Sequence, residues 1–191
     1  MGAALGTRSF TEEYVSLQVW KWVDEVKQLP TIVQIQPHAA YATLTHGLTG
    51  RWSYLAQTVS DISNLLQPLE DAIRHHLIPA ITGRARITDM ESVLSALPIR
   101  LGGMGIPNPT KSCNEKFMSP EQISAPLTVL SFQQEKDNPS SVVSVASEQT
   151  SIKSKIRAQR WRAQANEAAR LHEALPPNRF NVLLGQVYIT T

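Results

Sequence analysis

Residues 10–30, FTEEYVSLQVWKWVDEVKQLP, decide the fold class. Tyr14, Leu17, Trp20 and the pair Val23/Val26 recur at three- and four-residue steps, the period of an α-helix rather than of a strand. Thr11 is a candidate N-cap, with Glu12 and Glu13 suited to the first turn, and Pro30 is expected to end the helix. Trp20 and Trp22 stand two apart and cannot share a helix face, so one of them belongs at the surface or at an interface.

Downstream the helical period continues. A second tract runs from about Thr31, restarting at Pro37, through Ala39, Ala40, Ala42 and Leu44 to a soft spot at Gly47 and Gly50. A third carries Trp52, Leu55, Val59, Ile62 and Leu66 on one face, and Pro68 suits the first turn of a fourth that ends near Leu77. Pro79 and Gly83 punctuate. Thr88 with Glu91 three residues later has the spacing of a capping box for a fifth helix ending near Leu97. The core expected from this periodicity is Val15, Val19, Val23, Leu44, Leu55, Val59, Ile62, Leu69, Ile73 and Leu94.

The fifth helix runs into Leu97-Pro98-Ile99-Arg100-Leu101-Gly102-Gly103-Met104-Gly105-Ile106, followed by Pro107-Asn108-Pro109. Gly102, Gly103 and Gly105 give a backbone free to take positive φ, and the flanking prolines forbid helix continuation. A dinucleotide loop would follow a strand and open a helix, and a phosphate loop would end in Gly-Lys-Ser/Thr. Neither context is present, so the run reads as a structural turn.

Beyond Pro109 the composition shifts to Ser, Pro, Asn, Gln and Glu, which reads as a flexible, disordered linker over 110–150. Residues 151–175 return to strong helix formers around Ala158, Ala163, Ala165, Ala168 and Ala169, stopped by Pro176-Pro177. Lys153, Lys155, Arg157, Arg160, Arg162 and Arg170 make this helix basic, with Trp161 among them. Residues 176–191 read as an irregular tail or a short strand. The expected architecture is therefore all-α: an irregular helical bundle over 1–109, the linker, and a separate basic C-terminal helix.

With 191 residues, 42% of them hydrophobic, the chain can hold one domain of ~100–130 residues and a tail. A net charge of +2 sets up no global field, so a polyanion site has to be local. The single cysteine, Cys113, forms no internal disulfide, and no long apolar run or leader pattern is present, so the chain reads as intracellular, cytoplasmic or nuclear, without a membrane partner. His75-His76 lack a metal-binding i,i+4 spacing, and Glu70 with Arg74 has the spacing of a surface salt bridge. His38, His46, Asp61, Asp71 and Asp89 form no acid–base constellation. No catalytic residue, metal ligand or cofactor is expected. The basic helix can neutralise phosphates while Trp161 stacks or buries; a solvated helix face is the plainer alternative.

Leu5-Gly6-Thr7-x-Ser9-Phe10, Gln36-Pro37-His38-Ala39-Ala40-Tyr41-Ala42, Gly47-Leu48-x-x-Arg51-Trp52-x-Tyr54, Pro68-Leu69-Glu70-x-Ala72-Ile73-Arg74 and Leu97-Pro98-x-Arg100-Leu101-Gly102-Gly103-x-Gly105-Ile106 occur in that order. This order resembles the region downstream of the catalytic palm, the thumb and post-thumb, in reverse-transcriptase polyproteins of non-LTR-like retroelements, over residues 2–109. The resemblance implies a helical segment that tracks a template–primer duplex by its backbone. The family's paired palm aspartates, which hold two Mg²⁺ ions, have no counterpart: no Asp-Asp dipeptide occurs in the chain. Two expectations follow. One is a catalytically inactive fragment contacting RNA or an RNA–DNA hybrid through Arg51, Lys153, Lys155, Arg157, Arg160 and Arg162. The other is a protein-interaction module, or a relic, with an apolar face at Trp20 or Trp22 open to self-association.

Overall fold

The computed structural model describes residues 6–132 and 139–175, and those residues are all-α. Helix α1 spans Arg8–Val33 and is capped by Thr7, whose side chain accepts a hydrogen bond from the Phe10 N–H at 3.4 Å. The cap thus lies one turn before the expected Thr11, whose hydroxyl instead donates to the Thr7 carbonyl. Pro30 does not end the helix: it costs the hydrogen bond to the Val26 carbonyl, and α1 runs one further turn to Val33. The buried face of α1 carries Val15, Val19, Trp22, Val23, Val26, Leu29 and Val33, while Leu17 and Trp20 face solvent. Of the two tryptophans, Trp22 is the inner one.

α1 lies against two interrupted rods. The first joins α2 (Pro37–Ala42), a π-helical turn (Thr43–Leu48) and α3 (Thr49–Thr58). The second joins α4 (Gln67–Ala72), a π-helical turn (Ile73–Leu77) and α5 (Ile78–Thr82). Pro79, which has no N–H to give, explains the second interruption: the Ile78 N–H reaches back to the Ile73 carbonyl, and the widened turn admits the ring. Gly83, at φ 65°, caps α5 in the left-handed region. The third expected helix stops at Thr58, because Val59 is extended and only a 3-10 turn over Asn64–Leu66 leads into α4. Trp22 and Trp52 meet at the centre with ring centroids 6.4 Å apart. All the core residues expected from periodicity are buried.

Helix α6 (Asp89–Ala96) begins in the expected capping box: the Thr88 hydroxyl accepts from the Glu91 N–H, and the Glu91 carboxylate accepts from the Thr88 N–H at 2.8 Å. Glu91 is only 2% exposed, and Arg84 supplies its counter-charge. The chain then makes a 3-10 turn at Ile99–Leu101 and folds back over the end of α6. Gly102 and Gly105 take φ of 81° and 66°. Gly103 meets a different demand, since a Cβ there would stand 2.0 Å from the Leu97 carbonyl oxygen.

The expected linker is helical where it is described. Helix α7 spans Pro109–Phe132 and α8 spans Pro139–Ala174, so α8 begins well before residue 151. The Ser- and Pro-rich composition misleads because tertiary anchors hold the segment. Asn108 caps α7 by accepting from the Lys111 N–H at 2.9 Å, and Asn108 and Thr110 both donate to the Glu70 carboxylate. Glu70 is therefore not paired with Arg74, which meets Asp89 instead. Cys113 is buried in the main core, so that core does not close at residue 109. α7 packs on α3, and α8 runs back antiparallel along α7, Gln149 donating to the Ile123 carbonyl and Arg160 pairing with Glu115. Nor is α8 separate: Ala168, Leu171 and Leu175 close a second core with Leu94 and Leu97. The expected tail, 176–191, lies outside the described residues.

These contacts set two tests. Gly103→Ala drives a methyl group into a backbone carbonyl and lowers stability by ~3 kcal/mol, a fall in thermal midpoint of ~6–12 °C. Gly50→Ala, a helical site where the new Cβ enters open space, raises stability by about 0.5–1 kcal/mol. The second test concerns Glu91. Burial pushes its carboxyl up, but the Thr88 N–H and hydroxyl and the Arg84 guanidinium together outweigh burial and hold it below the ordinary carboxylate value. A group depressed in the folded state contributes stability above its unfolded pKa and loses it as pH falls through the folded value. Glu91→Gln therefore costs about 2 kcal/mol at neutral pH, and denaturant midpoints of variant and parent converge as pH drops below the ordinary carboxylate range.

Candidate nucleic-acid interface

The basic residues expected to touch phosphates divide into paired and unpaired. Arg51, on α3, is held by Glu25 of α1, its Nη1 donating to both carboxylate oxygens at 2.9 Å. Arg160 is bound to Glu115 and reaches the Ser119 hydroxyl at 3.4 Å, so it joins α8 to α7. Both are half-exposed ties between helices rather than free charges. Lys153, Lys155, Arg157 and Arg162 are exposed and have no ion pair among the described residues.

The helical period sorts the cations of α8 onto two flanks. Lys153, Arg157 and Arg160 follow each other at four- and three-residue steps on one side; Lys155 and Arg162, seven apart, share the other. Between the flanks, Ile152 and Ile156 turn partly inward toward α7. The groove between the two helices is lined by Met118, Gln122, Ile156, Gln159 and Ala163, with the Glu115–Arg160 pair at its side. Arg170, the remaining cation of this helix, is paired with Glu167 one turn before it.

Sequence reasoning missed one partner. Arg100, from the glycine-rich turn, lies over the indole of Trp161 with its guanidinium carbon 4.0 Å from the ring centroid. Trp161 neither buries nor stands alone: it remains 41% exposed beneath a cation. The only available signal was an arginine at the apex of a rigid turn, and nothing local linked it to α8.

Lys116 carries no local sequence signal either. It sits partly buried where α7 meets α3, donating to the Ser53 hydroxyl at 2.8 Å, and burial lowers its ammonium pKa against a smaller raising influence from Cys113. Gly102, Gly103 and Gly105 shape the turn as described and present no helix N-terminus to a ligand. His38, His46, His75 and His76 are exposed. Among the described residues no three His, Cys, Asp or Glu side chains converge as metal ligands, and no helix is long and apolar enough to cross a membrane. No protein-family model matches this chain, and none of the curated proteins or solved structures compared with it is similar enough to count as a match.

Cys113 is 1% exposed, and burial pushes its thiol up, with Lys116 opposing. Only the thiolate reacts, so alkylation of the folded protein at neutral pH is expected to run at least roughly tenfold slower than in concentrated urea. Equal rates, followed by mass spectrometry, would place Cys113 outside the core.

Proposed function

We propose that this chain is a helical, non-catalytic nucleic-acid-binding module, similar to the thumb region of a retroelement reverse transcriptase, that holds RNA or an RNA–DNA hybrid by its phosphate backbone. One observation carries the reading: α8 exposes Lys153, Lys155, Arg157 and Arg162 with no carboxylate partner among the described residues. Surface cations in a protein of modest net charge are ordinarily interspersed with acids, so four unneutralised cations within three turns form a local field of one sign. Cations so placed neutralise phosphates and release their condensed counterions. Arg51 and Arg160 are assigned instead to holding helices together, since a phosphate would have to compete with the carboxylates of Glu25 and Glu115. An intracellular setting fits the reading, because RNA–DNA hybrids arise there and the one thiol needs no oxidising compartment.

A second reading rests on a different surface. Phe10, Leu17 and Trp20 are each more than half exposed along one side of α1, an apolar stripe suited to self-association or to a protein partner. Salt separates the two readings, since apolar association is little affected by ionic strength.

Fluorescence anisotropy with an end-labelled RNA–DNA hybrid tests the proposal. Four phosphate contacts give a slope of log affinity against log salt of about −3 to −4, a loss on the order of 100-fold between about 50 and 200 mM salt. Replacing Lys153 and Arg157 by Ala lowers the magnitude of the slope by about 2. Salt-independent binding, or a slope the double substitution leaves unchanged, overturns the assignment to α8.

A further inference from the structure

The stack of Arg100 on Trp161 stands apart from the rest of the basic surface because it presents planar π surface instead of charge alone. We infer that this pair is a stacking site for an unpaired nucleobase, so that the chain grips a single-stranded segment at this point. The inference rests on the phosphate-binding reading above and specifies the form of nucleic acid that the same helix takes.

Three observations converge on it. First, an indole 41% exposed, with a guanidinium 4.0 Å from its centroid, leaves both members reachable from solvent, since Arg100 is itself exposed. A base extends such a stack on either planar group, because indole and guanidinium both offer a face to a π system. Second, the stack is immobilised from both sides. Trp161 projects from α8, whose following turns are locked into the second core by Ala168 and Leu171. Arg100 projects from a turn whose backbone is fixed by the Gly103 N–H donating to the Pro98 carbonyl at 3.2 Å and the Gly105 N–H to the Leu97 carbonyl at 2.8 Å. A platform whose parts are already ordered loses little entropy on binding.

Third, cations stand at the right places for the adjoining phosphates. Arg157 lies one turn before Trp161 on α8, Arg162 immediately follows it, and neither has an ion pair among the described residues. A strand whose base stacks on Trp161 can thus place its flanking phosphates toward Arg157 on one side and Arg162 on the other. Aromatic stacking combined with backbone cations is the recurring chemistry of sequence-tolerant single-strand binding. A duplex, with its bases already stacked internally, offers no free face and gains only the phosphate contacts.

The test compares two labelled probes, a twelve-residue oligouridylate and the same strand annealed to its complementary DNA, against the full chain and three variants. Trp161→Ala is expected to weaken oligouridylate binding about tenfold while changing hybrid binding less than about twofold. Trp161→Phe, which keeps a π face, recovers most of the loss. Oligouridylate also quenches part of the tryptophan fluorescence of the parent, and that part is absent in Trp161→Phe. Arg157→Ala weakens both probes. If Trp161→Ala weakens both probes equally, with a lower thermal midpoint, Trp161 only fastens α8 and the inference falls. If Trp161→Ala leaves both affinities unchanged while Arg157→Ala lowers both, the stacking site is overturned and the phosphate reading stands. Binding of the hybrid without binding of oligouridylate overturns the stacking site alone; failure of both probes to bind overturns both readings.

Discussion

The fold depends on a short backbone clasp at the end of α6. The Met104 and Ile106 N–H groups both donate to the Ser95 carbonyl, at 3.1 and 3.0 Å, so one carbonyl near the helix terminus accepts two hydrogen bonds from the returning turn. A carbonyl has two lone pairs, and here both serve the turn in place of water. This geometry brings the loop so close that position 103 accommodates only a residue without Cβ. From the clasp, Tyr41 of α2 reaches the Met104 carbonyl, Arg100 covers Trp161 of α8, and Pro107-Asn108-Pro109 launches α7 toward Glu70. Elements far apart in sequence thus share one fixed corner.

What could be read from sequence follows from the range of the forces involved. The core positions and the Thr88–Glu91 box were legible because periodicity and capping act over three or four residues. The end of α3 was not: Val59, Ile62 and Leu66 keep an apolar rhythm through a stretch where the chain leaves the helix, and all three are buried regardless. Apolar spacing reports burial more faithfully than it reports backbone conformation. Pro30 was misread as a terminus because the tertiary packing of Val33 outweighs one missing hydrogen bond.

The candidate site divides along the same line. That α8 would be basic was plain from composition, but which of its cations are free was not. Glu115 ties Arg160 to α7, and Glu25 likewise holds Arg51 of α3, through contacts that no local pattern announces. Composition also hid α7, where Pro120 and Pro126 lie inside a helix and Ser, Asn, Gln and Glu are interspersed among the apolar residues. Its first turns are determined by Glu70, Ser53 and the buried Cys113, all contributions that depend on the finished bundle.

The antiparallel pair of α7 and α8 has two unlike ends. Toward the bundle, Cys113, Leu171 and Leu175 are enclosed; away from it, Ile123, Val145 and Ile152 are only half-covered by the facing helix, and Val143 is 70% exposed. Stability within a native protein varies with such coverage, and thinly covered segments open on their own. The hairpin is thus a graded structure whose outer part exchanges its amide hydrogens ahead of the bundle, with the unpaired cations of α8 lying on the boundary between the two regimes. Under the proposed phosphate-binding function, a polyanion bridging this boundary would stabilise the outer turns by mass action, coupling occupancy of the basic surface to the effective length of the helix that carries it.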